Sequence, residues 1–144
     1  MKKRSGGFTL IELMFVVAVI AIIMAIGIPS YQRYVVKGKR AEGRSAVLQA
    51  AQRMERYFTV NNTYTTTLSA AGIGQYSGQD NTAANSAYQI SVSPGAAGIA
   101  TSFIIRATPQ GTFSDPECGI YTYDQNGTKG MESATETSVA KCWQ

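Results

Sequence analysis

Residues 8–28 form a run of 21 in which only Thr9 and Glu12 are strongly polar. At about 1.5 Å per residue a helix of this length reaches roughly 31 Å, close to the ~30 Å hydrocarbon thickness of a bilayer. One carboxylate, Glu12, sits inside the run. A charge at the bilayer centre costs on the order of 2.5–3.5 kcal/mol. Near the helix start the cost is smaller, and the positive end of the helix dipole helps. The acid still needs a partner, and nothing basic within the run offers one. Three uses compete: a plain transmembrane anchor, a signal peptide cut behind the run at the weak site Ala25-Ile26-Gly27, or a segment cut in front of it, after Gly7. The second fits poorly, because an h-region usually spans only about 7–15 residues and this longer run carries Glu12.

The octet Gly6-Gly7-Phe8-Thr9-Leu10-Ile11-Glu12-Leu13, behind the basic leader Met1-Lys2-Lys3-Arg4-Ser5, resembles the prepilin signature of type IV pilins. The later Pro29, a late cysteine pair and the overall length extend that likeness over the whole chain. The resemblance implies cleavage between Gly7 and Phe8 and N-methylation of Phe8, both by a prepilin peptidase/methyltransferase. It implies polymerisation with itself and other pilins, driven by an assembly platform with cytoplasmic ATPases. The precursor would be a single-pass inner-membrane protein and the product an extracellular bacterial fibre serving adhesion, twitching motility or DNA uptake. The expected fold is α+β, a long N-terminal helix whose C-terminal half packs on a 3–4-stranded antiparallel sheet. No cofactor, metal or catalytic residue is implied. Cutting after Gly7 removes Lys2, Lys3 and Arg4 and creates an ammonium on Phe8. Glu12 is its i, i+4 neighbour and could pair with it internally or with the terminus of the next subunit; the resemblance prefers the second. Such a pair is stronger in a dry core than in water, and its use would be register.

The formal charge of +4 and pI near 9.2 belong to the precursor: without the three leader charges, ten basic residues face nine acidic ones. The chain has no histidine, which removes the usual general base and the commonest metal ligand. Cys118 and Cys142 are the only cysteines, and their even count, late position and lack of zinc-like spacing favour a disulfide over two free thiols. Closing a loop of about 25 residues is worth roughly 3.5 kcal/mol on the chain-entropy model and requires an oxidising compartment. In the pilin family this loop resembles the disulfide-bounded D-region. Basic residues near the run number three before it and five after (Arg33, Lys37, Lys39, Arg40, Arg44). A positive-inside count would thus put the C-terminal side in the cytoplasm; the cysteine pair and the leader pattern place it outside.

The expected organisation is a cleaved leader (1–7), a transmembrane and fibre-core helix (8–29) and a head (30–144). The head divides into an amphipathic helix (30–58), an αβ loop (59–87), a sheet (88–132) and a disulfide-bounded region (118–142). Gly27 and Pro29 interrupt the first helix. A proline inside a helix removes a hydrogen bond and clashes with the preceding turn, so the bare reading ends the membrane helix there. The resemblance implies continuation, with a kink or local unwinding in the fibre. Gly38 and Gly43 read as further soft points. Across 30–58, Tyr34, Ala41, Leu48, Ala51, Met54 and Phe58 recur at spacings of three, four or seven, an apolar stripe to set on the sheet. Seven basic and two acidic residues fill the other faces. Arg33, Lys37, Lys39, Arg40, Arg44, Arg53 and Arg56 read as solvated or paired with acidic residues, or as a DNA-binding face helped by Tyr57 and Tyr64.

Asn61-Asn62-Thr63 ends the helix and formally fits a glycan acceptor. The following Thr-, Ser-, Ala- and Gly-rich stretch reads as irregular. Tyr88-Gln89-Ile90-Ser91-Val92 alternates as a strand before the Pro94-Gly95 turn. A second strand covers 102–108, stopped by Pro109, and a third covers 120–123. Asp124-Gln125-Asn126-Gly127 signals a hairpin into a short edge strand at 128–132. Trp143 is expected to pack over the cysteine seam. Asp115, Glu117 and Asp124 suggest calcium, as in some pseudopilins, but lack the dense alternation of oxygen ligands a loop site needs. A type IV pilus subunit is therefore the leading reading. A DNA-binding competence pilin, a type II secretion pseudopilin and, weakest, a membrane-anchored enzyme are the alternatives.

Overall fold

The computed structural model describes residues 8–144. The leader, with Gly7 of the expected cleavage site, lies outside them. Six elements follow in order: α1 (Leu10–Asn61), β1 (Tyr88–Pro94), β2 (Phe103–Pro109), β3 (Ile120–Asp124), β4 (Lys129–Glu132) and the short α2 (Val139–Cys142). The chain divides into two compact units, one ending at Lys37 and one covering Gly38–Gln144.

Helix α1 runs for 52 residues and passes unbroken through Gly27 and Pro29. The expected break is therefore absent, and the continuation implied by the resemblance holds. Physically, proline deletes one ladder bond, while long helical stretches on both sides propagate cooperatively at one bond per residue. The helix also extends three residues past the expected end at Phe58. Asn62, at φ 57, then turns the chain out in the left-handed conformation, and its N–H closes on the Phe58 carbonyl at 2.8 Å, as helix ends commonly do.

In the unit from Gly38, the four strands form one antiparallel sheet in sequential order β1-β2-β3-β4. The register aligns Ile90 with Ala107, and Ala107 with Tyr121. Period-two alternation sends these side chains to the same face, and all three are buried. The helix meets them with Gly43, Val47, Ala50, Ala51 and Met54. This stripe is rotated from the expected one: Ala51 and Met54 are shared, but Tyr34 is 76% exposed and Leu48 38%, and Ala41 is exposed. The reason is steric. The Tyr88 ring fills the notch over Gly43, where a Cβ would lie 2.7 Å from two ring carbons. The helix face carrying the small residues therefore approaches the sheet.

The αβ loop is less irregular than its composition suggests. Tyr76 bridges to Gln89, the Ser77 N–H donates to the Tyr88 carbonyl and the Ile90 N–H to that of Gln75. The loop thereby covers the outer edge of β1 at Tyr88–Ile90, and Pro94 ends the strand four residues further on. Both devices block unwanted strand addition.

Candidate functional site

The apolar half of α1 is the first candidate. It is long and apolar enough to cross a membrane, and no residue of its most apolar window is buried. Phe8, Leu10, Ile11 and Ile26 are each at least 72% exposed. At the start of the helix Glu12 has a backbone partner as well as a charge to offer. Thr9 donates its N–H and its hydroxyl to Glu12 Oε2, each at 3.4 Å, and the Glu12 N–H donates to Thr9 Oγ1 at 3.3 Å. This is a capping box, legible as T-x-x-E before an apolar run. Glu12 thus ties down the helix start in addition to offering charge. A carboxylate has about four acceptor sites, so the box leaves capacity for an ammonium.

The basic residues of α1 do not form one free face. Arg33 Nε donates to the Pro29 carbonyl at 3.3 Å. Lys39 lies over the Phe113 ring, 4.8 Å from its centroid. Arg40 makes a forked pair with Asp115, Nε to Oδ2 at 2.7 Å and Nη2 to Oδ1 at 2.6 Å, and also reaches Glu117 Oε2 at 2.7 Å. Arg44 Nη1 donates to the Cys142 carbonyl at 2.7 Å, and Arg53 donates to the Gly72 carbonyl. Lys37 and Arg56 make no such contact among the described residues. Tyr64, expected to help bind bases, is instead core: its ring packs against Phe58 and edge-on against Phe103, and its hydroxyl donates to Glu55. Charge counting along a helix cannot foresee partners 75 and 77 residues away.

Three acids considered for calcium are otherwise engaged. Asp115 and Glu117 hold Arg40, while Asp124 accepts the N–H groups of Asn126 and Thr128 across the hairpin turn. Among the described residues no cluster of His, Cys, Asp and Glu could hold a metal ion.

Cys118 and Cys142 form the expected disulfide. Trp143 packs edge-on against Tyr121 and donates its Nε1–H to the Gly130 carbonyl at 3.0 Å, closing the seam beside α2. Beneath it Tyr88 and Tyr121 are fully buried, and their hydroxyls have no hydrogen-bond partner among the described residues. Burial raises both phenols above their ordinary value. The hydrogen bond that Arg40 donates to Asp115, reinforced by one to Glu117, pushes its guanidinium still higher than usual against the cost of its partial burial.

Residues 29–122 match the family model described as "Type IV minor pilin ComP, DNA uptake sequence receptor", and residues 2–28 match the prokaryotic N-terminal methylation motif. Fimbrial protein EcpC of Eikenella corrodens is 34% identical over 78% of this chain and 67% of its own length. Type IV major fimbrial protein FimA of Dichelobacter nodosus is 53% identical, but over only 31% of this chain and 28% of its own length. A solved type IV pilin from Shewanella oneidensis aligns with TM-score 0.48 and 27% identity, covering 74% of this chain and 96% of that one. With the methylation motif joined directly to a pilin model that spans well over half of the sequence, the chain belongs to the type IV pilin family.

Proposed function

We propose that this pilus subunit assembles by trading lipid around its N-terminal helix for copies of the same helix, with Glu12 setting the register. The observation that carries the reading is the wholly exposed apolar half of α1, bearing one acid at its start next to the processing motif. The proposed sequence is cleavage between Gly7 and Phe8, methylation at Phe8, and entry into a growing fibre at an assembly platform powered by cytoplasmic ATPases. In the fibre the Phe8 ammonium of one subunit pairs with Glu12 of a neighbour, while Thr9 keeps the cap. A subunit one turn out of place leaves a buried charge unpaired, which is strongly destabilising. The precursor stands in the inner membrane and the product is outside the cell, where the disulfide persists. Gly27 and Pro29 are the proposed place for the helix to bend or unwind on assembly. The test is Glu12→Ala: insertion and cleavage proceed as before and fibre yield collapses. Fibres in normal amount from that variant would sink the register role. Mass spectrometry of sheared fibres checks the rest, since it reads the N-terminus, its methylation and the disulfide together.

A second reading, favoured by the description of the matching family as a DNA uptake sequence receptor, is DNA binding by the head. The cations already committed within the chain, Arg40, Arg44 and Arg53, are poor candidates for it. Lys37 and Arg56 are the better ones. Each neutralised phosphate contributes about −0.9 to the slope of log K against log salt. Lys37→Glu or Arg56→Glu should therefore weaken retention of a duplex and flatten its salt dependence; unchanged retention by both variants disposes of the role.

A further inference from the structure

We propose that Arg40 and Arg44 form a clasp on α1 that seats both cysteines independently of the disulfide, so that the bond locks a geometry the helix has already built. The two arginines stand four residues apart, hence one above the other on one helix face. Each reaches a different limb of the closed loop. Arg40 grips Asp115 with both ends of its fork, and Asp115 Oδ1 in turn accepts the Cys118 N–H at 3.2 Å. Arg44 takes the carbonyl of Cys142 directly. Between these anchors the limbs are stitched by backbone bonds, Thr135 N–H to the Pro116 carbonyl and Glu136 N–H to that of Glu117, both at 2.9 Å. None of these contacts involves sulfur. The Asp115 side chain is 1% exposed, so it cannot remain in place unpaired without a large cost. The ion pair and the seated loop therefore form together.

Positioned thiols oxidise more readily than free ones because closure becomes intramolecular. The oxidant is a disulfide such as oxidised glutathione. The thiolate of one cysteine attacks it and expels one glutathione thiolate, and the second cysteine then attacks the mixed disulfide and expels the other. Cys118 and Cys142 together give up two electrons and two protons, and the oxidant is reduced to two thiols.

The test uses the full chain in detergent micelles, equilibrated in glutathione buffers of graded ratio, quenched by alkylation and counted by mass. It yields the effective concentration of the thiol pair. Arg40→Gln should lower that value at least about tenfold and Arg44→Gln several-fold, as expected for a charged and a single hydrogen-bonded anchor. Ile90→Val, a core trim remote from the clasp, serves as the stability control and should leave it nearly unchanged. An Arg40→Gln fall no greater than that of Ile90→Val overturns the clasp. A second measurement leaves the arginines in place and removes both sulfurs. Trp143, the sole tryptophan, adjoins Cys142, so its emission reports whether the tail is seated. In the Cys118→Ser, Cys142→Ser chain the emission should stay that of the parent's half-buried indole, and adding Arg44→Gln should shift it red. Full exposure of the indole on removing the sulfurs alone would show that the bond, not the clasp, holds the tail.

Discussion

Replacing Gly43 with alanine sets two effects of opposite sign against each other. Glycine inside a helix is about 0.8–1.0 kcal/mol worse than alanine, so helix propensity alone predicts a gain. The structure predicts a loss. The new Cβ would stand 2.7 Å from Tyr88 Cδ2 and Cε2 and 3.0 Å from Cζ, against an optimal carbon separation of about 3.5–4.0 Å. The ring has little room to retreat: Tyr88 is 0% exposed and abuts Phe113 and Tyr121 with centroids at 5.4 and 5.8 Å. Overpacking of this kind costs about 1–3 kcal/mol. Net of propensity, Gly43→Ala should destabilise the head by up to about 2 kcal/mol, a fall of up to roughly 10 °C in its unfolding midpoint. Gly38 is the internal control, since nothing lies within 4 Å of its Cβ position; Gly38→Ala should stabilise by up to about 1 kcal/mol. The assay is thermal unfolding of the full chain in micelles, followed by Trp143 emission and near-ultraviolet circular dichroism. A Gly43→Ala chain more stable than the parent would refute the close approach. If the two alanines moved the midpoint alike, propensity alone would explain both.

Other outcomes follow from the same head. Raised phenol groups at Tyr88 and Tyr121 contribute stability that is fully present below pH 10 and is lost as the pH climbs from there through their folded values. Alkaline denaturation should therefore steepen above pH 10, with tyrosinate absorbance appearing together with unfolding, and Tyr88→Phe should flatten that limb. At neutral pH Tyr88→Phe should be neutral or slightly stabilising, because the hydroxyl it removes is buried without a partner; a loss above about 2 kcal/mol in denaturant titration contradicts this. Reducing the Cys118–Cys142 bond should cost about 3.5 kcal/mol on the chain-entropy model, read as a drop in the urea midpoint with a slope no smaller than the parent's, since the reduced unfolded chain is less compact. The Arg106–Glu132 pair on the exposed face of the sheet should matter little. A double-mutant cycle on it should give at most about 1 kcal/mol, shrinking further in salt.

Local signals carried most of what the sequence made legible. The apolar run, its acid, four strand patterns, the Asp124-Gln125-Asn126-Gly127 turn and the cysteine pair are each readable within a short window, and each element stands within a few residues of expectation. What failed was the choice between alternatives that only a distant partner decides. The helix stripe is one case. Tyr34 and Leu48 offer the larger apolar side chains, yet the face that packs is fixed by the Tyr88 ring, which leaves room for nothing larger than glycine at position 43. The basic face is another. Asp115 recruits Arg40 across the fold, turning part of a suspected DNA surface into internal framework. The capping box is local, its T-x-x-E signature lying within four residues, and it is masked only because the same Glu12 also stands out as a lone charge in an apolar run.

The two halves of α1 divide stability from assembly in a way that bears on why a single acid suffices near the tip. The half beyond Gly38 buries Val47, Ala50, Ala51 and Met54 in its own head, so the head folds without neighbours. The apolar half is exposed throughout, and burying its side chains is worth about 1.5–3 kcal/mol each relative to water. Lipid already supplies nearly all of that, so moving the helix from bilayer to fibre changes its apolar environment very little. In the proposed assembly, the terms left to decide position are few and local. Chief among them is one ammonium–carboxylate contact, whose loss in a dry core is expensive. A stickier helix would associate in the membrane at any register. On that proposal a nearly indifferent one, with its lone charge held in place by the Thr9 cap, would settle only where the neighbouring terminus arrives.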